Sequence, residues 1–315
     1  MRHFFKGMFA ALAVTAALSG TAKAEEELPS IGVMAGEYGS SFATLGEELG
    51  QALNGWSGTE VRTMLGKSSR QTIDDLLYLR GVDLGFVNAD QMANLQFTEP
   101  NHPALARLAY LAKVFDSELH LIVRKDGDAD SLQDMNGKRI SVGTTTSDTA
   151  LTSRLVLRML GVKVNAVFLS TEASIDALKR GEIDGMFYVG PAPSPILTQI
   201  LQEDALKLAN VGYSDAFKGI YNPAEISAET YPDLVDDKFV ETISVPTILA
   251  VYNKFPPSSA RYQNLTRFTD AFLATVPRLG QPPRHPKWRE IDLTAKVDGW
   301  TQFEYFRNAV TRPSN

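Results

Sequence analysis

Hydroxyl and other small polar residues gather in four short segments: 37–41 (Glu-Tyr-Gly-Ser-Ser), 67–69 (Lys-Ser-Ser), 88–91 (Asn-Ala-Asp-Gln) and 144–149 (Thr-Thr-Thr-Ser-Asp-Thr). Two of them open directly into apolar residues at helical spacing. There the free backbone N–H groups and the positive helix end attract a carboxylate or phosphate, and Ser and Thr add neutral donors. Ser, Thr and Asp are also the usual helix N-caps, which accounts for any one segment by itself. Four such loops converging on one cleft make a small-molecule site. Thr145 stands inside the last loop, and Lys67 reads as a ligand contact or a rim charge. Tyr38 and Tyr188 fall near predicted strand ends, where a ring can cover a ligand and its hydroxyl can bond to it. Phe86 and Phe187 read as core.

Other chemistry finds little footing. The chain has no cysteine, so disulfides, thiolate metal sites, cysteine nucleophiles and a lipid-modified N-terminal cysteine are excluded. Its histidines are His3, His102, His120 and His285, and none falls in an H-E-x-x-H pattern. No G-x-S-x-G elbow activates a serine. Gly66-Lys67-Ser68 ends like a phosphate loop, but the position five residues before Gly66 is Val61, inside a predicted strand. The acidic pairs Glu47-Glu48, Asp74-Asp75 and Asp236-Asp237 point to different sides of their helices and read as solvated faces. The expectation is a binding protein, not an enzyme, with no cofactor and no metal.

The loops need a frame, and the chain supplies strands alternating with helices. Strands are predicted at 30–35, 59–65 and 83–87, separated by helices carrying Phe42, Leu45, Leu49 and Leu53, then Ile73, Leu76, Leu77 and Arg80. The order recurs as strands at 139–143, 164–169 and 184–189 with helices at 151–160 and 175–180, Gly161 stopping the first. Leu79-Arg80-Gly81-Val82-Asp83-Leu84-Gly85-Phe86-Val87 is echoed by Lys179-Arg180-Gly181-Glu182-Ile183-Asp184-Gly185-Met186-Phe187. Two similar α/β lobes in series explain the echo. Residues 118–125 and 244–252 alternate like strands that cross between lobes. Residues 210–237 read as loops and short helices. The expected layout is α/β, two Rossmann-like lobes with a ligand cleft between them: lobe I from 25–120 plus 250–315, lobe II from 121–249.

The first 24 residues read as an export signal. Arg2, His3 and Lys6 precede the apolar run 8–18, and Ala22-Lys23-Ala24 offers a cleavage site after Ala24. The apolar run is too short for a stable membrane span. Losing Arg2, Lys6 and Lys23 would take the formal charge from −6 to −9, a poor balance for binding nucleic acid or anionic lipid. A periplasmic location follows from export without a lipid anchor.

Six segments in order resemble the TAXI solute receptors of TRAP transporters, which have the type II periplasmic-binding-protein fold. They are Gly36 to Phe42, Gly66 to Ser69, Asp83-Leu84-Gly85-Phe86-Val87-Asn88-Ala89-Asp90, Leu119 to Lys125, Ser141-Val142-Gly143 with Ser147-Asp148-Thr149, and Asp184-Gly185-Met186-Phe187-Tyr188-Val189-Gly190. The likeness covers nearly the whole mature sequence. It implies capture of an amino acid or organic acid for a membrane permease driven by an ion gradient. It carries Ser40, Ser41, Ser69, Asn88, Asp90, Ser147 and Thr149 over as ligand contacts. The alternatives on the same fold are a partner of an ATP-driven importer and a ligand sensor docking on a membrane protein. Glu37 and Tyr38 interrupt the family's Gly-rich loop, and Asp148 stands where the family has Gly. Two acids near the cleft would repel a plain dicarboxylate, so the expected ligand is zwitterionic, uncharged or partly cationic.

Overall fold

The computed structural model describes residues 30–54 and 60–311. The export signal and the start of the 59–65 strand lie outside these residues. The elements in chain order are β1 (Ser30–Met34), α1 (Ser41–Leu53), β2 (Glu60–Met64), α2 (Ser69–Tyr78), β3 (Leu84–Asn88), α3 (Asp90–Thr98), α4 (Ala104–Arg107) and β4 (Leu108–Arg124). There follow β5 (Arg139–Ser141), α5 (Asp148–Leu160), β6 (Asn165–Val167), α6 (Thr171–Lys179), β7 (Gly185–Gly190), β8 (Leu206–Ala209), β9 (Asn222–Ser227), β10 (Phe239–Tyr252), α7 (Ala260–Leu279) and α8 (Glu304–Val310).

The strand order is β2-β1-β3-β10-β4-β7-β5-β6, with β8 added on β4 and β9 on β10. Within it the same unit occurs twice. β2, β1 and β3 run parallel and meet antiparallel β10; β6, β5 and β7 run parallel and meet antiparallel β4. β4 and β10 also pair with each other, which joins the two lobes through two long strands. The result is an α/β architecture of two similar lobes on one mixed sheet. Among the described residues no helix is long and apolar enough to cross a membrane.

Burial explains why these segments take these forms. β3 and β7 are buried at every position, as strands covered on both faces are. Helix α1 buries Leu45, Leu49 and Leu53 along one face. They join Ile31, Val33, Phe268, Phe272 and Trp288 in one core. Ile175, Leu178, Met186 and Tyr231 belong to a second. A third core includes residues of both lobes, such as Val87, Leu121, Val156 and Ile248.

Several elements differ from what the sequence predicts. The crossing strand begins at Leu108, ten residues before Glu118, and ends at Arg124. Its early part is apolar on both faces, so no alternation marks it as a strand. The 210–237 segment contains β9, held antiparallel against β10. Arg80 lies beyond the end of α2 at Tyr78. Glu48 is no solvated face: its carboxylate accepts from His285 N at 3.0 Å and from Trp288 Nε1 at 2.7 Å.

Candidate functional site

Among the helices that begin with a serine cap are α1 (Ser40), α2 (Ser68), α5 (Ser147) and α6 (Ser170). Each side chain accepts from the third residue after it, Ala43 N at 3.2 Å, Gln71 N at 3.3 Å, Ala150 N at 3.1 Å and Ala173 N at 3.3 Å. All four serines line one cleft with a cavity of about 90 Å³. Two belong to the first lobe and two to the second. The duplicated topology aims their helix N-termini at the same space from both sides, beyond the carboxyl ends of the parallel strands. The remaining lining includes Ser69, Thr144, Thr149, Thr171 and Tyr188, with Phe42, Phe86 and Leu169 as apolar walls.

Of the residues singled out in the sequence, Ser40, Lys67, Ser69, Ser147, Thr149 and Tyr188 line this cleft. Five others do not. Tyr38 is 90% exposed and Thr145 is exposed, both outside the lining. Ser41 is buried and donates to Pro191 O at 3.0 Å, so its hydroxyl joins α1 to the chain just after β7. Asn88 is buried and accepts from Thr247 Oγ1 at 2.8 Å. Asp90 is buried, accepting from Thr152 Oγ1 at 2.6 Å and Tyr221 Oη at 3.0 Å. Burial raises the Asp90 carboxyl above the usual range against these donors. These three carry out internal bonding: the loops were legible, but which side of each loop faces the cleft is set by packing between lobes. Ser170 and Thr171 escaped the sequence reading. Their signal was the N-cap pattern Ser-Thr-Glu before the apolar residues of α6.

Asp148 is inside the cleft lining. Its carboxylate reaches across the lobes to the first turn of α2, accepting from Ser69 N at 2.9 and 3.2 Å and from Ser69 Oγ at 2.9 Å. Ser69 Oγ in turn accepts from Asn88 N at 2.8 Å, so its proton and one of its two lone pairs are engaged. Burial pushes the Asp148 carboxyl up to about 7; Ser69 opposes this and Asp90 and Glu37 add to it. Glu37, at the mouth, is also raised, by burial first and by Glu172 second, with Lys67 pulling the other way. The described residues hold no group of three or more metal-ligating side chains.

Residues 34–291 match the NMT1-like family. The chain belongs to that family. Solved structures agree on the fold of this NMT1-like chain. A protein described as a periplasmic transporter matches with a TM-score of 0.56 at 14% identity, covering 89% of this chain and 92% of its own. The periplasmic binding protein BugD matches at 0.55 and 14%, covering 90% and 92%. MatC from Rhodopseudomonas palustris, solved with bound malate, matches at 0.54 and 15%, covering 86% and 90%.

Proposed function

We propose that this NMT1-like chain is an exported solute-binding protein that captures a small organic solute in the cleft between its lobes. One observation carries the reading: four serine-capped helix N-termini, two from each lobe, line one cavity. Such ends supply backbone donors and positive potential without a lysine cluster. The periplasmic proteins that share the fold support a periplasmic site of action, as does the basic, apolar, small-residue order of residues 1–24.

The lobes in this reading are 25–120 plus 250–315 and 121–249, with β4 and β10 as the hinge. Hinged closure on the solute follows from that layout. The partner is a membrane permease. The TAXI-like segments around Ser69, Asn88, Ser147 and Tyr188 favour a TRAP-type secondary permease driven by an ion gradient. Uptake by the reconstituted permease with this chain, abolished when the gradient is collapsed, checks that choice; uptake that needs ATP and survives collapse sinks it.

The binding reading is tested on the chain from Glu25 onward by thermal shift against amino acids, organic acids, amines and sugars. A solute at about a hundred times its dissociation constant adds about 2.7 kcal/mol to the folded state. One chemical class should raise the melting temperature, and Ser147→Ala with Thr149→Ala should weaken that response. A folded protein that responds to no solute overturns the reading.

A further inference from the structure

An anion already sits on one of the four helix ends. The Asp148 carboxylate takes the position at the N-terminus of α2 where a bound acid would go, with three contacts to the amide and hydroxyl of Ser69. It comes from the opposite lobe, 79 residues away in sequence. One turn further along α5, Thr152 bonds to Asp90 at the start of α3, so this face of α5 is docked on the first lobe at two points. The neighbouring charges are mostly of the same sign: Asp90 and Glu37 act on Asp148 as nearby acids, and among the described residues Lys67 is the one cationic residue lining the cleft.

We propose that Asp148 is an internal anion that fills the carboxylate position at α2, making it a specificity-determining residue that restricts this part of the cleft to cationic or neutral groups of a ligand. The inference rests on the cleft being the solute site. An acidic group of the ligand is then left to the ends of α1 and α6, and an amino group or other donor turns toward Asp148 and Glu37. A plain dicarboxylate has one acid too many: to use α2 it must expel Asp148 and leave that charge among Asp90 and Glu37. A small zwitterion satisfies both sets of groups.

The test removes the internal anion and asks whether an external one takes its place. Wild type, Asp148→Ala and Asp148→Gly are titrated with sulfate and with glutarate at constant ionic strength, reading melting temperature. Either variant, whichever folds with native circular dichroism, should gain affinity for both anions by at least about tenfold over wild type, a large but ordinary effect for a charge-assisted contact. Adding Ser69→Ala should take most of the gain away. Equal responses in wild type and variants, or none in any, overturn the assignment. The solute screen separates the two claims. If no organic solute shifts wild type while sulfate shifts the variants, the solute-binding reading fails and the internal anion stands. If solutes bind and the variants ignore sulfate, the reverse holds.

Discussion

His120 and Asp148 couple stability to pH in opposite senses. His120 is wholly buried, its Nδ1–H donates toward Glu118 O at 3.1 Å and Tyr188 O at 3.3 Å, and its Nε2 has no partner. Burial lowers its pKa from 6.5 to about 4, so between those values the unfolded chain holds the proton and the folded one does not. Stability therefore falls as pH drops through that window. Asp148 does the reverse. Its folded pKa of about 7 exceeds the ordinary 3.8, so between those values the folded state holds a proton that the unfolded state has lost, and above them Asp148 is the carboxylate. Its contribution is present at low pH and is lost as pH rises toward and through about 7. Asp148→Asn should remove that loss. Urea midpoints taken from about pH 5 to about pH 8 should fall less in the variant than in wild type. Parallel curves would show that Asp148 titrates near its ordinary value in the folded protein.

At the scale of elements, the echoed segments around Gly81 and Gly181 prove to be one device used twice. Asp83 N donates to Gly32 O at 2.9 Å while Asp83 Oδ2 accepts from Gly32 N at 3.1 Å. In the second lobe Asp184 N donates to Arg139 O at 2.8 Å and Asp184 Oδ2 accepts from Arg139 N at 2.8 Å. Each Asp clamps the strand it enters to the first strand of its own unit, at the middle of β1 in one case and the start of β5 in the other. Gly81 and Gly181, with φ of 88° and 70°, make the left-handed turn that sets it up. Gly32 is buried and Arg139 exposed, so the two clamps differ in worth. Asp83→Ala should cost about 1–3 kcal/mol by leaving a buried amide unpaired, and Asp184→Ala about 1 kcal/mol or less. Equal losses on denaturation would break the argument from burial. The repeat was readable because turn chemistry is local: Gly, then Asp, then a strand. The same holds for the serine caps and for Gly161, which closes α5 at φ 69°. The early part of β4 and all of β9 were not readable. Leu108 to Phe115 is buried at all but one position, and β9 is a strand because β10 lies beside it, a long-range fact.

For the whole molecule, the decisive contacts lie where the C-terminal segment reaches the crossing strands. Lys287 is buried, and its Nζ contacts Glu118 on β4 and Glu290 at 2.7 Å. Glu118 Oε2 also accepts from Ala192 N at 2.9 Å. His285 Nε2–H donates to Pro193 O at 2.9 Å, a carbonyl that Ser41 Oγ also reaches at 3.4 Å. These bonds tie the turn after β7 in the second lobe to α1 and the C-terminal segment of the first, at the foot of the cleft. None was legible in sequence: 169 residues separate Glu118 from Lys287, and a lone Lys and Glu carry no spacing signal. Burial pushes the Glu118 carboxyl up to about 7 against the pull of Lys287, and burial opposes the Lys287 charge while Glu118 and Glu290 raise its pKa. The two charges need each other. Lys287→Met should cost about 3–5 kcal/mol where Glu118 remains ionised, because a buried carboxylate is left without its cation. Without Lys287 the folded pKa of Glu118 rises further above 4.5, so the penalty should grow as pH increases. Adding Glu118→Gln should recover much of the loss and flatten its pH dependence, since a neutral amide replaces the stranded charge. A double variant as unstable as Lys287→Met alone, at every pH, would mean that the lysine acts through packing of its methylenes and not as the counter-charge of Glu118.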